Sequence, residues 1–249
     1  MIRFTGAELR RLAQPRSGRL LLAVCVVLVA AVLALQAGRG QQPSLVHDLR
    51  GGLTGVGTAL AFVAVAAGAS AISKDFGSGA LVTLLTWEPR RARVVLGKAL
   101  AVAGGSAIVA LGVSTALVAG LAVSALIGDD SRAVDASWLA ARASQLGYLL
   151  VGIAAAGFVG AALTFVTRST ALTISLFVLL YLLGERALDE LASGAAAWAP
   201  AGLIVRVASG NGGLFRLDVA NSTALWRTLV VAGALALVAV VVFRRREPR

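Results

Sequence analysis

Charge is scarce in this sequence: Asp, Glu, Lys and Arg together make up 14% of its 249 residues, against about 25% in a soluble domain. Most of the chain therefore cannot face water, and the membrane class follows. Cysteine is nearly absent. Cys25 stands alone inside an apolar run, so no intrachain disulfide can form and the redox compartment is unreadable. A single histidine, His47, in an expected loop, leaves no HExxH and no Cys/His metal cluster. A P-loop is missing too: Gly97-Lys98 is followed by Ala99, and Ala92 stands where the first glycine belongs. No acidic residue falls in the middle of an apolar run. Intramembrane acids mark ion and proton pathways, so ion-coupled transport is disfavoured and catalysis within the membrane more so. The carboxylate pairs Asp129-Asp130 and Asp189-Glu190 lie in loops and read as solvated charges.

What is present is hydrophobic, 58% of the chain, and it is cut into segments of membrane length. Residues 1–19 place Ile2, Leu9, Leu12 and Ala13 on one helical side with Arg3, Arg10 and Arg11 opposite. That pattern suits an amphipathic helix in the membrane interface. Six spans are expected, at about 20–36, 53–72, 96–127, 146–166, 170–184 and 224–243, each judged against a ~30 Å hydrocarbon core. The polar stretch 36–52 between the first two reads as a loop. Val94 to Ile127 is too long for one straight crossing, so it either extends beyond the bilayer with Lys98 near the edge or breaks at Gly104-Gly105. The extension is the preferred reading. Residues 185–223 are half polar, and Ala195 to Val207 is apolar around Trp198 and Pro200. They are expected to lie on, or dip into, the membrane surface.

The distribution of charge sets the orientation. One side of the six-span arrangement holds both ends, the 73–95 loop with Lys98, and Arg168. It carries fifteen of the 23 basic residues and four of the 12 acidic ones, against eight and eight on the other side. By the positive-inside rule both termini are cytoplasmic. The fold class expected is thus an all-α integral membrane protein in the cell membrane, a single domain over 1–249. The net charge of +11 belongs to this asymmetry, and no nucleic-acid partner is implied.

Within the spans, small residues recur at four-residue spacing: Gly112, Ala116 and Gly120 in the third, Gly152, Ala156, Gly160 and Thr164 in the fourth. Such faces allow close helix approach. The main polar break on the basic side is the 73–95 loop. There Lys74 and Asp75 close one apolar run, and a Gly-Ser-Gly turn leads into a short helical pattern of Leu81, Leu84 and Leu85. Trp87-Glu88-Pro89 then precedes the basic cluster Arg90, Arg91, Arg93 and Lys98. A loop carrying its own amphipathic helix offers a grip to a cytoplasmic partner.

This stretch resembles the signature region of ABC-2 type permeases, the membrane subunits of one class of ABC exporters. Their pattern runs acid-x-x-x-Gly-Thr-Leu, a Leu-Leu pair, Pro, Arg, then Gly-Lys at the next span. Here Asp75, Gly79-Ala80-Leu81, Leu84-Leu85, Pro89, Arg91 and Gly97-Lys98 occupy it. Ala80 replaces the usual threonine, and the Pro89 to Arg91 spacing is about a residue tighter. With the six spans and the basic N-terminal helix, the resemblance extends over essentially the whole chain. It implies a permease that pairs with a second copy or a sister permease, with separate cytoplasmic ATPase subunits docked beneath. The 73–95 loop would supply a coupling helix, with Leu81, Leu84 and Leu85 in an apolar groove of the ATPase. Asp75, Glu88, Arg90 and Arg91 would form the polar rim. ATP would be bound and hydrolysed by the partner, leaving no cofactor and no catalysis to this chain.

Two other classes stay open on the residues alone: a non-transporting membrane scaffold or assembly protein, and a secondary carrier. A carrier would show internal repeat symmetry, and none is visible. The substrate is not legible, because spans of Ala, Val, Leu and Gly offer no distinctive polar group.

Overall fold

The structure is a computed structural model that describes residues 45–88, 90–128, 136–184, 190, 198–209 and 221–245. Seven helices account for nearly all of them: α1 (Leu45–Gly77), α2 (Ala80–Trp87), α3 (Arg91–Gly128), α4 (Ala136–Thr167), α5 (Thr170–Leu182), α6 (Pro200–Ser209) and α7 (Asn221–Arg245). No strand occurs among the described residues. Four helices contain stretches long and apolar enough to cross a membrane: Leu53–Gly77, Arg91–Ala119, Ala140–Thr167 and Ser222–Arg245. The chain is therefore all-α in these residues and fits a membrane protein. The expected interfacial helix (1–19) and first span (20–36) lie outside the described residues.

Where the helices stop departs from the hydropathy pattern for a simple reason. Polar residues mark where a bilayer would end, but they do not stop a helix. Leu45 to Gly52, expected as loop, is already helical in α1. Likewise α3 runs through Gly104-Gly105 without interruption for 38 residues, about 57 Å at 1.5 Å per residue. The segment is therefore not broken at Gly104-Gly105. Real breaks need backbone chemistry. Gly79 at φ +70 takes the left-handed conformation that ends α1 and starts α2, at little cost for a residue with no Cβ. Glu88 closes α2 in an extended conformation, φ −127 and ψ 92, as expected for a residue that precedes proline. The α4–α5 turn is made by Arg168 at φ 58 and by Ser169, whose hydroxyl caps α5 by accepting from the Leu172 amide.

α4 lies at the centre and packs on α1, α3, α5, α6 and α7. The close approaches are made by glycines. A Cβ at Gly160 would collide with the Val65 carbonyl of α1, and one at Gly68 with the Gly157 carbonyl of α4. Two members of the four-residue series on α4 thus meet different neighbours: Gly160 receives α1, and Gly152 receives the Ala208 backbone of α6. Gly112 and Ala116 of the series on α3 do not pack this way. Gly112 has nothing within 4 Å of its would-be Cβ and, with Ala116, is exposed.

At 13 residues, α5 reaches only about 20 Å, short of a full crossing. A hydroxyl chain anchors its start, with Thr173 Oγ1 2.7 Å from Thr167 Oγ1 and 3.1 Å from Thr164 Oγ1. α6, from the segment expected at the membrane surface, is buried at Ala201–Val205 and Val207–Ser209. It is wedged among α1, α4, α5 and α7. Apart from the half-buried Arg206, its residues are apolar or small, which accounts for its place inside the bundle.

Candidate partner-docking site

The end of the bundle where α1 turns into α2 gathers most of the residues singled out from the sequence. Ser78 and Gly79 alone separate α1 from α2, and α2 packs on both α1 and α3. Its eight residues divide cleanly around the wheel. Leu81 is 2% exposed, and Leu84 and Leu85 beside it are half-buried. All three pack into a cluster with Ile72 of α1, Val94, Val95 and Ala99 of α3, Phe165 of α4 and Phe243 of α7. The other side presents Val82, Thr83, Thr86 and Trp87 to the outside, with Trp87 85% exposed.

Leu81 is used inside the chain, and Leu84 and Leu85, half-buried, pack against the same cluster. A stripe at i, i+3 and i+4 shows which side of a helix is apolar. It does not say whether the surface that covers it belongs to the same chain. The outward side of α2 has only Val82 and Trp87 as large apolar groups. A tryptophan placed at the end of an apolar octet, just before Glu88-Pro89, is the signal that pointed there.

Two polar contacts fasten the base of α2. Lys98 Nζ lies 2.6 Å from Asp75 Oδ2, with side-chain exposures of 3% and 9%. Asp75 and Lys98 are thus an internal strut between α1 and α3 rather than groups on a docking rim. Arg91 donates from Nη1 to the Phe243 and Arg244 carbonyls at 3.2 and 3.1 Å. A guanidinium over the last carbonyls of α7 complements the negative end of that helix. An edge-to-face cluster of Phe76, Phe165 and Phe243 completes the junction. The Arg168 guanidinium lies 5.6 Å from the Phe76 ring centre.

At the rim, Glu88 accepts from Arg93 at 3.2 Å, so both described carboxylates of this end, Asp75 and Glu88, are paired. Lys74, Arg90, Arg244 and Arg245 are exposed. Of the residues expected to form the site, Asp75, Gly79, Leu81, Leu84, Leu85, Arg91 and Lys98 come together here. Pro89 lies outside the described residues. Among the described residues no group of three His, Cys, Asp or Glu is placed to hold a metal ion. No protein-family model matches the chain, and no curated protein matches it either.

Proposed function

We propose that this chain is the membrane-spanning subunit of an ATP-driven transporter of the ABC-2 type, acting as an exporter. In this reading it has six spans with both termini in the cytoplasm of the cell. It lines the substrate path together with a second copy or a sister permease, and a separate ATPase subunit docks on the outer face of α2. The observation that carries the reading is α2 itself. It is a short helix, anchored by one face and bare on the other, within the stretch that resembles the ABC-2 signature.

The mechanism follows from how α2 is held. Its bare face, centred on Trp87, is the part a partner can grip, and a buried tryptophan is a frequent anchor of binding energy. Its inner face is packed on α1 and α3, and the Lys98–Asp75 pair joins those two helices at the same level. A displacement imposed on α2 by closure of an ATPase pair therefore reaches α1 and α3 directly. Arg91 extends the link to the end of α7. Rocking of these helices against α4 would exchange access between the two sides of the membrane.

The test is gentle-detergent purification of the tagged chain from its native membrane, with mass spectrometry of what accompanies it. A stoichiometric ATPase is expected, and it should be lost in Trp87→Ala combined with Val82→Asp, both changes at exposed positions. A chain that purifies alone in several detergents, or variants that keep their full complement of ATPase, would refute the reading.

A further inference from the structure

We propose that the α2 end of α7 and the start of α3 form a binding site for an anionic phospholipid. Its headgroup phosphate would be held by Arg244, Arg245 and Arg90, and its acyl chains would lie along the outer face of α7. This rests on the membrane character of the chain and is independent of the transporter reading.

The first observation is the register of α7. Of its exposed large apolar residues, Trp226, Val230, Leu237, Val238 and Val241 fall within about a third of the helix circumference at 100° per residue, and Leu229 lies to one side of them. Arg244 and Arg245, both exposed, continue the same stripe by one more turn. The buried side of the helix, Ala232, Ala236, Ala239 and Phe243, points the other way. An apolar track ending in two cations on one face matches a molecule with an apolar body and an anionic end.

The second observation is the charge of the surroundings. Arg91 spans from the first turn of α3 to the last carbonyls of α7, which brings its exposed chain neighbour Arg90 to the same end of the bundle as Arg244 and Arg245. Those carbonyls would otherwise repel an anion, and the Arg91 guanidinium occupies them. Asp75 and Glu88 are already engaged by Lys98 and Arg93. No described carboxylate at this end therefore competes for the three exposed arginines.

Other occupants fit less well. An acidic soluble protein would match the arginines but not the track that leads into them. A second copy meeting this face about an axis parallel to α7 would bring like charges together, pair against pair. An anionic phospholipid satisfies the charge and the track at once.

The test uses the full chain delipidated in detergent, with native mass spectrometry counting bound palmitoyl-oleoyl phosphatidylglycerol against the phosphatidylcholine of the same chains. Preferential retention of the anionic lipid is expected. Neutralising each arginine should weaken it about fivefold, and Arg90→Gln/Arg244→Gln/Arg245→Gln together on the order of a hundredfold. The corresponding triple lysine variant should keep most of the preference, and an unchanged melting profile in detergent shows that the glutamine variant is folded. Glycerol phosphate, which has the charge without the chains, should compete poorly. Equal retention of the two lipids, or a glutamine variant that keeps the preference, would overturn the site. So would effective competition by glycerol phosphate, or an acidic protein that co-purifies in place of lipid and is lost in the same variant.

Discussion

The pair formed by Asp75 and Lys98 allows a decisive perturbation, because each partner is nearly inaccessible. Lys98→Met removes the ammonium and leaves a carboxylate in a cluster of Ile72, Val94, Val95 and Ala99. Asp75→Leu does the reverse. Breaking a buried pair from one side costs about 3–5 kcal/mol, because the remaining charge stays out of water with this contact removed. Replacing both, as Asp75→Leu/Lys98→Met, removes the stranded charge and should be near neutral or mildly stabilising. The double variant is therefore expected to be more stable than either single one, a non-additivity of at least about 3 kcal/mol in a double-mutant cycle. The assay is thermal unfolding in detergent, read by the loss of the monodisperse peak on size-exclusion chromatography after heating. On the transporter reading proposed above, a strut that also transmits motion from α2 predicts that the double variant melts normally while ATP-driven transport falls. Single variants within about 1 kcal/mol of the parent would refute the reasoning. So would a double variant that merely sums the two losses. Either result would mean that water reaches the pair and that it is a surface contact in effect.

Other perturbations test the packing. Gly160→Val drives a side chain into the Val65 backbone and should cost at least about 1–3 kcal/mol, with reduced yield of folded protein. A Cβ at Gly112 meets nothing within 4 Å, and Gly112→Val at this exposed position should leave the single chain about as stable as before. Comparing the two on the same heated-sample chromatogram checks that Gly160 packs internally and Gly112 does not. At the α4–α5 turn, Arg168→Ala keeps the left-handed backbone and loses the stack on Phe76, a loss of about 1 kcal/mol. Arg168→Gly loses the same stack but relieves a backbone cost of similar size. The glycine variant should therefore melt above the alanine one, and the opposite order would show that the turn is unstrained.

Much of this arrangement was legible because the physics behind it is local. The long apolar helices follow from composition and length, since apolar runs must be screened from water and helices satisfy their own backbone groups. The break at Gly79 and the end of α2 before Pro89 were equally visible, because glycine and proline act on the backbone at their own positions. The small-residue spacing on α4 marked a helix that is closely approached. At Gly112 and Ala116 the same spacing on α3 is left exposed, for whether a groove is filled depends on which helix arrives there.

Partner identity belongs to tertiary structure alone. From the sequence, Leu81, Leu84 and Leu85 were an apolar stripe awaiting a surface. The fold supplies that surface from α1, α3, α4 and α7, and it turns Trp87 and Val82 outward instead. Asp75 and Lys98 read as two charges near a membrane edge, 23 residues apart, and only the return of the chain through α2 brings them within 2.6 Å. The burial of α6 and the reach of Arg91 to the end of α7 are decisions of the same kind. Each depends on contacts between segments far apart along the chain, and periodicity within one segment carries no record of its neighbour.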